Sequence, residues 1–395
     1  MQRLAGRMSG GSTTTGGNRE YVSTGIPLRP HWFCSPRAGP LGVEPKLTAN
    51  SNARRGACDG GEVLTDVGIR AYNWSMRANP WTNVYGLART LIALATLGTL
   101  ASTHSADLIR PAVGRPISSL CNGFSQVSIF CQLSPDHLEF ARWVAVGLLA
   151  IVASGWRPRI TGIIHWWISL SITLSVTVID GGDQVASIAT LFLLPVTLTD
   201  QRRWHWQRCA PMSPGGDRAV ARIIAHSCLM AIRWQVAIIY FHAAVAKLAV
   251  DEWVDGTVVY YWFSSQNLGV AQPLRGLIWP LITHPVGVTV LTWGTLLLEI
   301  FLFMGLVIKV EYRKPLLAMG LAFHGAIAIL QGLASFSMIM WGGLILYLWP
   351  LEEEFKNPAH LLPDRFRRAV SRRARPRLES VAVRIWNETE IGGRR

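Results

Sequence analysis

Long apolar blocks, separated by short polar or basic stretches, fill the chain between residues 84 and 350. Eight such blocks stand near 84–103, 140–155, 160–179, 184–199, 221–249, 286–308, 315–333 and 335–350. They approach or exceed the roughly 18 apolar residues that a bilayer-spanning helix requires. The pattern predicts an all-α, polytopic transmembrane helix bundle of about eight spans over residues 79–350. The fifth block is long enough to tilt in the membrane. Residues 1–78, rich in Gly, Ser, Thr and Arg without sustained periodicity, read as a disordered basic extension. Residues 351–395 read as a basic tail. Met76 stands just before the Asn79-Pro80-Trp81-Thr82-Asn83 stretch, so translation can start at either Met1 or Met76.

Charge sharpens this picture. Charged residues make up 16% of the chain, the formal net charge is +14 and hydrophobic residues reach 50%. So basic a chain invites a nucleic-acid reading, but no binding motif accompanies the charge, and no nucleic-acid partner is expected. Arg and Lys cluster instead in alternate loops. With the N-terminus inside, Arg157, Arg159, the 202–222 cluster, Lys309, Arg313, Lys314 and the tail are cytoplasmic. The outer loops hold only Arg110, Arg115 and Arg275. This asymmetry predicts both termini in the cytoplasm of a cell-membrane protein whose first partner is the bilayer. Trp156, Trp204, Trp253, Trp279 and Trp349 sit near the block edges, where indole rings prefer to lie.

Cys121 and Cys131 share an outer loop, where an oxidising compartment permits a disulfide. Cys34, Cys58, Cys209 and Cys228 fall in cytoplasmic or membrane segments. None has metal-ligand spacing, so no metal is expected.

Ionisable residues inside spans are costly and therefore candidates for function. His226, Arg233, Tyr240 and Lys247 recur every seven residues along the fifth block, on one slowly drifting helical face that should turn inward. Counted from the cytoplasmic ends, Arg233 lies roughly 18 Å up its helix, while Glu299 and His324 lie roughly 14 Å up theirs. An Arg233–Glu299 pair with His324 nearby is the expectation, against a purely structural ion pair. Lys247 falls near the outer end, close to Asp251 and Glu252. It either snorkels to the interface or acts as a desolvated base. Asp180 and Asp183 share that outer level, as a solvated Gly-Gly turn or as carboxylates lining a cavity. His165 and His242 read as packing residues.

Several stretches resemble the sporulation-delaying protein B (SdpB) family of multipass bacterial membrane proteins. They are Asn83-Val84-Tyr85-Gly86-Leu87-Ala88-Arg89, Asp180-Gly181-Gly182-Asp183-Gln184, Ala246-Lys247-Leu248 with Glu252-Trp253 and Tyr260-Tyr261-Trp262-Phe263, and Phe323-His324 with Ser335-Phe336. That family is similar in turn to the HTTM superfamily, which includes the vitamin K-dependent γ-carboxylases. The resemblance implies a role in maturing or exporting a secreted antimicrobial or toxin peptide. It implies Lys247 as a catalytic base and His324 as its catalytic companion. Arg89, Asp180, Asp183, Arg233, Tyr240 and Glu299 are the polar cluster expected to support them. A reduced isoprenoid quinone is the cofactor it implies. The carboxylases carry a large soluble domain after their spans, whereas a short basic tail follows here. Peptide recognition would then fall to a small companion protein. A transporter or channel lined by Arg233, Glu299 and His324, and a non-catalytic scaffold or immunity protein, are the competing expectations.

Overall fold

Every regular element among the described residues is helical, apart from one isolated bridge between Trp156 and Trp204. The computed structural model describes residues 65–111, 120–133, 137–207, 218–266, 268–350 and 353–355. Eight helices exceed fourteen residues: α1 (Asn83–Ser102), α2 (Leu138–Ser154), α3 (Pro158–Ser175), α4 (Gly181–Thr199), α5 (Ala219–Lys247), α6 (Pro285–Met304), α7 (Val310–Gln331) and α8 (Ala334–Leu348). Five of them, α1, α4, α5, α6 and α7, are long and apolar enough to cross a membrane. Each lies on one of the blocks that hydropathy marks out. Helix α8 is equally apolar but shorter, with 15 residues.

Helix α8 is the hub. It packs against α1, α4, α5 and α7, and apolar residues surround it on all sides, as expected of a helix with no exposed face. Gly342 makes the closest approach possible: a Cβ there would sit 2.9 Å from the Ala88 carbonyl oxygen of α1. Small residues at such crossings let helix backbones meet inside a membrane. A second apolar cluster joins residues of α1 such as Ala93 and Leu100 to α2, α3 and the short segment around Ile129 and Phe130.

Loop contacts set the direction of the helices. Trp81, just before α1, donates from Nε1 to the Val196 carbonyl near the end of α4 (3.1 Å). Its ring lies under Arg218, which precedes α5. Asn83 exchanges two hydrogen bonds with Phe355, beyond the end of α8. The start of α1, the end of α4, the start of α5 and the end of α8 therefore share one face. At the opposite face Thr177, after α3, donates to the Leu108 carbonyl beyond α1.

Two expectations are corrected. The segment read as disordered up to residue 78 is helical over 65–75. Asp66 and Arg70 pair along it at 2.6 Å, Trp74 lies against the His226 ring, and Arg222 contacts Met76 at 2.8 Å. Composition hid this helix because the contacts that hold it come from α5, well over a hundred residues away. Second, Asp180-Gly181-Gly182-Asp183 is the start of α4, not a free turn. Asp180 caps the helix by accepting from the Asp183 amide at 2.7 Å, and the glycines admit the Phe336 backbone, whose Cα a Cβ on Gly182 would approach to 3.0 Å. The expectations for residues 1–64, Arg115, Cys209 and the tail beyond 355 lie outside the described residues.

Candidate functional site

Helix α5 presents its heptad-spaced stripe inward: His226, Arg233 and Tyr240 are buried and Lys247 is half-buried. The four find different partners. His226 Nε2 meets the Ala78 carbonyl at 2.9 Å. Arg233 donates to the Leu346 and Trp349 carbonyls (3.3 and 2.9 Å), satisfying oxygens that the end of α8 leaves without intrahelical donors. Tyr240 and His324 share a hydrogen bond between the phenol oxygen and Nε2 at 2.9 Å. Lys247, the last residue of α5, puts Nζ 2.8 Å from Glu299 Oε1 on α6.

Glu299 is therefore the partner of Lys247, and the expected Arg233–Glu299 pair is not formed. The error lay in counting depth from each helix's own end. Helix α5 has 29 residues and α6 has 20, so equal counts do not mean equal heights. Asp251 and Glu252, adjacent in sequence, are exposed and form no ion pair with Lys247 among the described residues. Lys247 lies instead 5.2 Å from the centroid of the Trp253 ring, where the indole face attracts a cation.

These groups open onto a cavity of about 510 Å³, within the size range of small-molecule sites. Its walls are largely apolar and aromatic, from Trp253, Trp262, Phe263, Ile278, Leu291, Phe323 and Phe336. Its polar groups include Lys247, Glu299, His324, Asp180, Thr295 and Gln331. The segment between α5 and α6 forms one wall through its short helices Asp251–Val254, Val258–Ser264 and Gln272–Thr283. It is fastened to the end of α7 by Ala271 N to Leu330 O (2.7 Å) and Gln331 Nε2 to Leu268 O (3.2 Å). Phe323 and Phe336 flank the His324 ring at 5.1 and 5.5 Å between centroids. Glu299 Oε2 and His324 Nδ1 are buried and have no hydrogen-bond partner among the described residues.

Chemically, a buried Lys–Glu pair can pass one proton between its partners without changing net charge. Lys247 can thereby present a free amine to the cavity while Glu299 holds the proton. Among the described residues no group of three His, Cys, Asp or Glu side chains could hold a metal ion.

Three of the residues expected in the supporting cluster lie elsewhere. Arg233 is at the end of α8. Asp183 is buried beside the cap of α4, its Oδ1 unpartnered, but does not line the cavity. Arg89 belongs to a separate network at the face where α1 begins. It donates to Thr161 Oγ1 at 2.7 Å and lies 3.5 Å from His205 Nδ1. There Asp200 accepts from the Tyr85 hydroxyl and is clasped by Arg202 through Nε and a terminal nitrogen (3.0 and 2.8 Å). Burial, reinforced by Arg89 and Arg202, pushes His205 down to about 2. Sequence reasoning missed Asp200 and His205, although an acidic residue at a helix end beside Arg202 was a readable signal. His165 is buried near this network and His242 is exposed. Cys121 and Cys131 are joined by a disulfide. The loop they close docks on α3, with Ile129 N donating to Ser171 Oγ at 3.0 Å.

Two proteins of Bacillus subtilis (strain 168) are similar to this chain. YitO is 44% identical over 292 residues, covering 73% of this chain and 92% of its own length. The sporulation-delaying protein SdpB is 33% identical over 277 residues, covering 70% of this chain and 84% of its own. No family model matches the sequence, and no solved structure matches it.

Proposed function

The chain belongs to the SdpB family of bacterial membrane proteins, and on that premise we propose that it takes part in maturing or exporting a secreted antimicrobial or toxin peptide, with Lys247 as the base of an intramembrane site. The observation that carries this is the Lys247–Glu299 pair at 2.8 Å on the wall of a 510 Å³ apolar cavity that His324 also lines. Such a site sets a convertible proton among apolar walls, which is what base chemistry inside a membrane needs. His324, held by Tyr240, orients a bound group. A small companion protein supplies peptide recognition.

The protein crosses the plasma membrane eight times with both ends cytoplasmic. In support, the face shared by the start of α1 and the end of α8 also carries Arg157, Arg202 and Arg218. The packing of α2, α3 and α8 against the five longest helices is consistent with their crossing too.

A relationship to the HTTM superfamily would bring a reduced quinone to this cavity, and its residues fit one: Glu299 and His324 can hold the hydroxyls, and Trp262, Phe263 and Phe336 the ring and chain. Such a group would supply reducing equivalents when bound. With the shared proton on Glu299, the free amine of Lys247 would take a hydroxyl proton, and the resulting ammonium would balance the oxyanion it leaves. The transporter alternative is weaker, since Arg233 does not line the cavity with Glu299 and His324.

The test is Lys247→Ala in cells co-expressing a precursor peptide encoded beside the gene. We expect loss of mature peptide while the protein still inserts at its normal level. Undiminished peptide removes the base from the account.

A further inference from the structure

Two residues that line the cavity, Glu299 and His324, each carry a buried polar atom with nothing to bond among the described residues, and together these atoms specify what it binds. Glu299 and His324 are 6% and 2% exposed, and Glu299 Oε2 and His324 Nδ1 have no partner among the described residues. Leaving a buried polar atom unpaired costs roughly 1–3 kcal/mol, so a pair of them in a cavity wall points to a ligand.

The sense of each bond follows from proton counting. Tyr240 is 2% exposed, and among the described residues its hydroxyl has one hydrogen-bond partner, His324 Nε2 at 2.9 Å. If the imidazole donated from Nε2, the phenol proton would be buried with no acceptor. If the phenol donates, the hydroxyl and Nε2 are both satisfied, the single proton of a neutral imidazole must sit on Nδ1, and that N–H is the one group of the pair left for a ligand. His324 therefore keeps a donor free for a ligand. Glu299 uses Oε1 for Lys247 and keeps an acceptor free, Oε2.

The charge is balanced as well. Lys247 and Glu299 neutralise each other, and the remaining carboxylate on the wall, Asp180, would repel an anion. We infer that this cavity selects an uncharged ligand group that both donates and accepts a hydrogen bond, a hydroxyl or a secondary amide, read by Glu299 Oε2 and His324 Nδ1–H, with Tyr240 as the positioning residue that fixes the imidazole tautomer. This deepens the proposed function and rests on the cavity being the working site.

The first arm of the test needs no activity. The whole protein in nanodiscs, labelled with ¹⁵N-histidine, is compared with a His324→Gln sample to assign the ring. Nδ1 protonated and Nε2 bare is the expected state, and Tyr240→Phe should give a mixture of tautomers. Nε2 protonated in the unsubstituted protein overturns the inference. The second arm measures binding, with empty nanodiscs subtracted, of 4-hexylphenol, its methyl ether 4-hexylanisole, and N-acetyl-leucine methylamide. The phenol should bind roughly tenfold more tightly than the ether, and this preference should largely vanish in Tyr240→Phe. Binding of the amide in place of the phenol supports the same donor–acceptor chemistry with a peptide as its source. An ether that binds as well as the phenol, with the amide inert, overturns it. Failure of Lys247 to matter for peptide maturation would leave both arms standing, so the two proposals fail separately.

Discussion

The Lys247–Glu299 pair can be measured by a double-mutant cycle. At 2.8 Å, two unit charges in an effective dielectric of about 20 attract by about 6 kcal/mol before desolvation is counted. The desolvation of each ion, several kcal/mol, is carried by the single variants and cancels in the cycle, so the coupling should be about 2–6 kcal/mol. The single variants should differ. Lys247→Met strands a carboxylate whose side chain is 8% exposed, and breaking a buried pair in this way costs about 3–5 kcal/mol. Glu299→Gln strands an amine that is 20% exposed and still faces the Trp253 ring, so its cost should be smaller. Reversible unfolding by detergent titration in mixed micelles, on both single variants and the double, gives the coupling directly. The same cycle on Arg233→Met and Glu299→Gln should be additive, because among the described residues Arg233 bonds the Leu346 and Trp349 carbonyls and not Glu299. Additivity of Lys247→Met and Glu299→Gln within about 0.5 kcal/mol refutes the pair.

Other outcomes follow from the same structure. His205 is held near 2, far below its unfolded value of about 6.5, so the unfolded chain binds a proton that the native one refuses. Its stability contribution is intact above about pH 6.5 and is lost by about 1.4 kcal/mol per pH unit below that; His205→Gln should flatten the acid side of a stability-versus-pH curve. Asp180→Ala removes the cap of α4 and should cost about 1 kcal/mol in thermal unfolding, with Asp180→Asn recovering most of it. Reducing the Cys121–Cys131 bond, which spans a sequence separation of 10, should cost about 2.5 kcal/mol by the loop-entropy relation, and Cys121→Ser should be insensitive to reductant.

Hydropathy located every long helix, because the requirement for a continuous apolar stretch is local and one-dimensional. The inward face of α5 was legible too: seven-residue spacing carries a stripe along one side of a helix whatever it packs against. Which residues of the stripe meet which neighbours was not legible. Pairing depends on how far one helix slides along the next, and the excess length of α5 moved Arg233 to the end of α8 and Lys247 to Glu299. The site's apolar wall was equally hidden, since Trp262 and Ile278 come from a connecting segment with no span-like signature. The helix over 65–75 escaped for a related reason, being held by α5 rather than by its own composition.

The central claim, that this cavity is where the protein works, is tested most directly by filling it. Thr295 lines it one helical turn before Glu299 and is neither a proposed base nor a proposed binding group. Mature peptide should be measured by mass spectrometry in cells carrying Thr295→Trp or Arg233→Met, normalised to inserted protein. Thr295→Trp should abolish the mature peptide, and Arg233→Met should leave the normalised yield unchanged. Full yield from the filled cavity would contradict it.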